Sequence, residues 1–147
     1  MSNFASRIAE AAGRFADRPA IEVVRPDIVE TTTYHDLMER SARVAGWLTS
    51  QGLERGDRVA VLAGNDADWI VLYLGVLRVG LVAVPLDTNY VPAQVRTIVE
   101  DSGARWLFTA PRLIETARAA QHPHCRAAHD GGDHRKNDPA CGEAKPL

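Results

Sequence analysis

Three short apolar runs set the strongest limit on what this chain can fold into: RVAVLA at 58–63, LVAVPL at 81–86 and RWLFT at 105–109. Each has the length of a strand and is apolar at nearly every position, so it needs cover on both faces. The stretches between them have helical length. Ala67–Val79 is almost wholly apolar, and Gly80 stops it. Pro92 suits the first turn of a helix running to about Ser102, with Gly103 after it. Pro111 opens another helix, reaching about Ala120. Strands and helices alternating in this way predict right-handed crossovers and an α/β fold: a parallel sheet with helices on its faces.

The first third of the chain reads differently. Phe4, Ile8, Ala12 and Phe15 share one face of a helix. Ala20–Val24 is short and β-branched, Arg25-Pro26-Asp27 is a turn signal, and Val29–Thr33 is a second strand, together a predicted hairpin. Thr33 can cap the next helix, with Asp36 in its first turn, where a negative charge suits the helix dipole. Leu37, Val44 and Leu48 form that helix's apolar stripe, and Gly52 ends it.

Composition changes near residue 120. Both cysteines, both lysines and four of the five histidines lie beyond it. The predicted organisation is therefore one domain over residues 1–120 and an irregular tail over 121–147. The tail sequence QHPHCRAAHDGGDHRKNDPACGEAKPL has no periodicity and too little apolar surface to offset chain entropy. Its composition suits a GC-rich gene read out of frame, which predicts a frameshift or equivalent truncation near residues 119–125. Trypsin is expected to cut it early, at Arg126, Arg135 or Lys136. His122, His124, Cys125, His129, His134 and Cys141 are all metal-ligand types. Cys125 and Cys141 are too far apart for a compact pair, and no cysteine pair precedes His129 and His134 at a finger-like distance, so no metal site is predicted.

The net charge of −2, without a basic stripe, gives no reason to expect a nucleic-acid partner. No apolar run reaches the ~18 residues of a membrane span, and the N-terminus lacks a secretory pattern. A soluble cytoplasmic protein is expected.

Three motifs stand in register: Thr33-Tyr34-His35-Asp36-Leu37, Gly56-Asp57-Arg58-Val59, and Leu77-Arg78-Val79-Gly80 leading to Pro85-Leu86-Asp87. Their order and spacing over residues 3–118 resemble the start of the adenylate-forming acyl-CoA synthetase superfamily. The resemblance implies the N-terminal portion of that family's large domain. It also implies a reaction in which ATP and a carboxylic acid, fatty acids among them, give an acyl-adenylate whose acyl group passes to coenzyme A, with Mg²⁺. Taken as residues, the same motifs are scaffold: Gly80 stops a helix, Pro85 ends a strand, and Asp87 and Asn89 suit a turn.

The groups that chemistry requires can be sought directly. A triphosphate needs a Ser/Thr/Gly-rich loop of backbone donors with a lysine nearby. Thr31-Thr32-Thr33 has neither glycine nor lysine beside it, and the lysines, Lys136 and Lys145, lie in the tail. Arg40, Arg43, Arg58 and Arg78 are scattered singly. The turns GNDADW, DTNYVP and APR do not approach Gly-x-Gly-x-x-Gly, and Gly64 reads as a turn residue. No catalytic, cofactor-binding or metal-binding residue is therefore expected in this chain. The expected role is an N-terminal ligase segment, inactive alone and prone to self-association through uncovered apolar surface. The alternative is an α/β interaction module or a subunit paired with a separately encoded remainder.

Overall fold

The computed structural model describes residues 4–120 and 123–129. The chain forms two units of interleaved sequence. One takes the chain up to Arg55 together with Asn65–Leu81, the other Gly56–Gly64 together with the chain from Val82 on.

The first unit contains α1 (Phe4–Arg14), the hairpin β1 (Pro19–Val24) and β2 (Val29–Thr33), α2 (Tyr34–Ser50) and α3 (Ala67–Arg78). The hairpin strands are antiparallel, with Val24 opposite Val29, and the Arg25 N–H donates to the Ile28 carbonyl at 2.9 Å to close the turn. Thr33 starts α2 as predicted. Its hydroxyl oxygen accepts from the Asp36 N–H at 3.1 Å, and the Asp36 carboxylate accepts in return from the Thr33 hydroxyl at 2.7 Å and its N–H at 3.4 Å. Two otherwise orphaned donors at the helix start are thereby satisfied. Leu37, Val44 and Leu48 are buried, as their spacing requires. Asp66 caps α3 by accepting from the Trp69 N–H at 2.9 Å. At its other end Gly80 has φ +74°, and the Leu81 N–H reaches back to the Val76 carbonyl at 3.1 Å.

α1 departs from expectation. Ala12 is buried with Ala5, but Phe4 is 60% and Phe15 42% exposed. The small alanines, not the rings, make the close contact, and the larger side chains Phe4 and Ile8 border a groove.

The second unit is a four-stranded parallel sheet in the order β4-β3-β5-β6. Its strands are β3 (Arg58–Leu62), β4 (Val82–Pro85), β5 (Trp106–Thr109) and β6 (Arg126–His129). α4 (Pro92–Ser102) joins β4 to β5, and a 3₁₀ turn (Pro111–Leu113) with α5 (Ile114–Ala119) joins β5 to β6. Every residue of β5, and Val59–Leu62 of β3, is buried, which is why these runs carry no polar alternation. Ala60, Leu62, Leu107, Val95, Val99 and Ala117 pack into one core. Gly103 ends α4 at φ +60°, and Arg58 caps it, its guanidinium donating to the carbonyls of Ser102 at 2.7 Å and Gly103 at 3.3 Å. The predicted helix from Pro111 begins as a 3₁₀ turn because the Leu113 N–H reaches only to Ala110, at 2.9 Å.

β6 corrects the reading of an irregular tail from residue 121. Arg126–His129 pair in parallel with Trp106–Thr109. The Arg126 N–H donates to the Arg105 carbonyl at 3.0 Å, and its guanidinium lies 5.7 Å from the centre of the Trp106 ring. The backbone ladder places this segment, and its side chains give little sequence signal. The loss of pattern expected at 119–125 is thus followed by a further strand. His122, His134, Arg135, Lys136, Cys141 and Lys145 lie outside the described residues. No helix among the described residues is long and apolar enough to cross a membrane.

Candidate functional site

The sheet order defines where a ligand can enter. From β3 the chain goes to the edge strand β4, and from β5 it goes to the opposite edge strand β6. The connections therefore diverge between two neighbouring parallel strands. In open α/β sheets the crevice outside the carboxyl ends of such strands is where ligands bind, because no crossover covers it.

Gly64 follows β3, and Ala110-Pro111-Arg112 follow β5. The Ala110 N–H donates to the Leu62 carbonyl at 3.1 Å and holds the two strand ends together. A Cβ on Gly64 would stand 2.9 Å from Nη2 of Arg112, so the guanidinium lies almost on the Gly64 backbone. The Arg112 guanidinium is hydrogen-bonded or ion-paired to no described residue. Thr109, buried at the end of β5, donates its hydroxyl to the Ala110 carbonyl at 3.3 Å. Beyond β4, the Asp87 carboxylate accepts from the Asn89 N–H at 2.8 Å and its side-chain amide at 2.9 Å, a turn closed by its own side chains.

This arrangement offers one guanidinium, whose planar donors match a carboxylate or phosphate. Most of the other arginines are engaged locally. Arg40 pairs with Asp68, Arg43 with Glu39 at 3.3 Å, and Arg105 with Asp57 at 2.5 Å. His35, from the first motif, is exposed with Nε2 4.0 Å from Glu39.

Of the six metal-ligand types in the tail, the structure describes the side chains of His124 and Cys125 only. Among the described residues no three His, Cys, Asp or Glu side chains come together as a metal site. Burial pushes the Cys125 thiol up to about 11, so it stays protonated at neutral pH and is a poor nucleophile or ligand. Arg112 is the residue sequence reading missed. It follows a predicted strand end, but the sheet order that makes that end special is not written in any local pattern. Gly64 lies in the connection from β3 to α3, and its close approach to Arg112 was not foreseeable.

A parallel sheet whose connections diverge at two neighbouring strands places the chain among the open α/β sheets. The family of AMP-binding enzymes matches residues 8–146, and the chain belongs to it. A probable CoA ligase of Humulus lupulus is 33% identical over 128 residues, 84% of this chain and 24% of that one. A long-chain-fatty-acid–CoA ligase of Mycobacterium tuberculosis is 34% identical over 103 residues, 68% of this chain and 20% of that one. A benzoate CoA ligase from Burkholderia xenovorans has the same fold, with a TM-score of 0.81 at 24% identity, over 89% of this chain and 26% of that one. The chain spans about a quarter of these relatives or less. The family match runs on past the 3–118 read from motifs, to residue 146.

Proposed function

We propose that this chain supplies the N-terminal portion of the large domain of an AMP-forming carboxylic acid–CoA ligase, and that on its own it neither binds MgATP nor makes an acyl-adenylate. The observation that carries the reading is the strand-end crevice. Its strand order suits an adenylate-forming fold, and among the described residues the cation beside these strand ends is Arg112, against Gly64. Charge moving onto pyrophosphate must be stabilised by preorganised positive groups, and one arginine is too little. The substrate class is a monocarboxylic acid, and the 34% identity to a long-chain-fatty-acid–CoA ligase favours fatty-acid metabolism, with the cytoplasm as the compartment.

Calorimetry with MgATP, and pyrophosphate release with a panel of carboxylic acids, test this. The expected outcome is no binding heat and no release above buffer. Turnover that survives purification and disappears in Arg112→Ala would overturn it. A second reading, a subunit completed by a separately encoded remainder, draws support from the open sheet edge at β6. Co-purification of a polypeptide that restores pyrophosphate release would favour it.

A further inference from the structure

The first unit holds a groove of about 400 Å³ formed by α1, β1, α2 and α3, within the range typical of small-molecule sites. Phe4, Ile8, Ile21 and Leu74 are among the residues that supply its wall. Arg7 is the charged residue lining it, and Tyr34 brings a phenol. Neither the Arg7 guanidinium nor the Tyr34 hydroxyl is hydrogen-bonded or ion-paired to any described residue. The groove also explains the α1 anomaly, since Phe4 and Ile8 face it in place of the core.

We infer that this groove binds an apolar monocarboxylic acid, with its hydrocarbon part along the Phe4–Ile8–Ile21–Leu74 wall and its carboxylate on Arg7. The charge argument selects the head group: one uncompensated cation at an apolar groove matches a single anion, and a guanidinium takes a carboxylate through two parallel hydrogen bonds. The apolar wall selects the tail, which gains by leaving water. The site shares no residue with the strand-end crevice, and binding there needs neither ATP nor the rest of a ligase. It therefore stands whether or not the proposed function does.

Decanoate and decanol, titrated into the full chain by calorimetry, separate the head from the tail. Decanoate should bind in the micromolar range and about tenfold more tightly than decanol, as for a hydrogen bond to a charged group. Arg7→Gln should remove that tenfold preference and leave decanol unchanged. Ala11→Trp, which fills the groove from α1, should abolish binding of both. Should that variant fail to fold, Phe4→Ser removes an exposed wall ring and should weaken both ligands together. Absence of decanoate binding, or equal binding of the two ligands, would overturn the inference. So would a preference that Arg7→Gln leaves intact, because simple partition onto exposed apolar surface does not discriminate at one arginine.

Discussion

Gly75 sets how closely α2 and α3 approach. It is buried in α3, and a Cβ there would stand 2.5 Å from Val44 Cγ1 and 3.1 Å from the Ser41 carbonyl oxygen. Backbone and a β-branched core side chain cannot both move aside, so the helices would have to separate. Gly75→Ala is expected to lower stability by about 1–3 kcal/mol, measured by urea unfolding, although the change favours helix propensity. Nothing in the sequence marked this glycine: it sits in a helical pattern where glycine is merely unfavourable, and its partner lies on another helix. The capping box, by contrast, was legible, because Thr33 and Asp36 meet through a fixed local spacing. Thr33→Ala is expected to cost about 1 kcal/mol at neutral pH. Hydrogen bonds from Thr33, first its side chain and then its backbone, hold the Asp36 carboxyl below its ordinary value of 3.8. A lowered folded-state value means that the stabilisation is present above 3.8 and lost as pH falls through the lower value. The gap between wild type and Thr33→Ala should therefore narrow in acid. A gap of constant size down to the acid-unfolding limit would show that the carboxylate plays no part.

Strands and helices with strong periodicity were readable, whereas β6 was not. RAAH offers no alternation and no β-branched residue, and it becomes a strand because β5 presents a free ladder of backbone groups. Backbone groups in a parallel strand point alternately to either side. The Arg126 N–H faces β5, so the Ala127 N–H faces away. Amide exchange should accordingly be slow at Arg126 and fast at Ala127, and trypsin should cut slowly after Arg126, contrary to the sequence expectation. Equal, rapid exchange at both amides would mean that β6 does not pair in solution. The opposite edge is managed differently. Val82 and Leu86 donate inward to β3, to Asp57 and Val61, each at 2.9 Å. Of the residues between them whose donors would face outward, Pro85 has none, so an incoming strand finds little to pair with on β4.

At the scale of the whole chain, several large apolar side chains stay in water, including Val24 at 78% exposure, with Ile28 and Val29 beside it in the hairpin. Such surface favours association. The chain is expected to bind a hydrophobic dye and to show a concentration-dependent mass by light scattering in the micromolar range. Val24→Ser with Ile28→Ser should weaken both signals. A dye-silent monomer would instead indicate a self-sufficient module. Which apolar side chains stay uncovered depends on which strands have neighbours, and no local pattern records that. The interleaving of the two units has a consequence for synthesis. β3, buried from Val59 to Leu62, leaves the ribosome before either strand that pairs with it. β4 follows about 20 residues later and β5 about 45, which at roughly 5–20 residues per second leaves RVAVL unpaired for about 1–4 s and half-paired for several seconds more. During that interval the nascent chain displays its best aggregation-prone segment, so translation speed over codons 63–109 and chaperone access at the exit tunnel govern how much of this protein is ever folded.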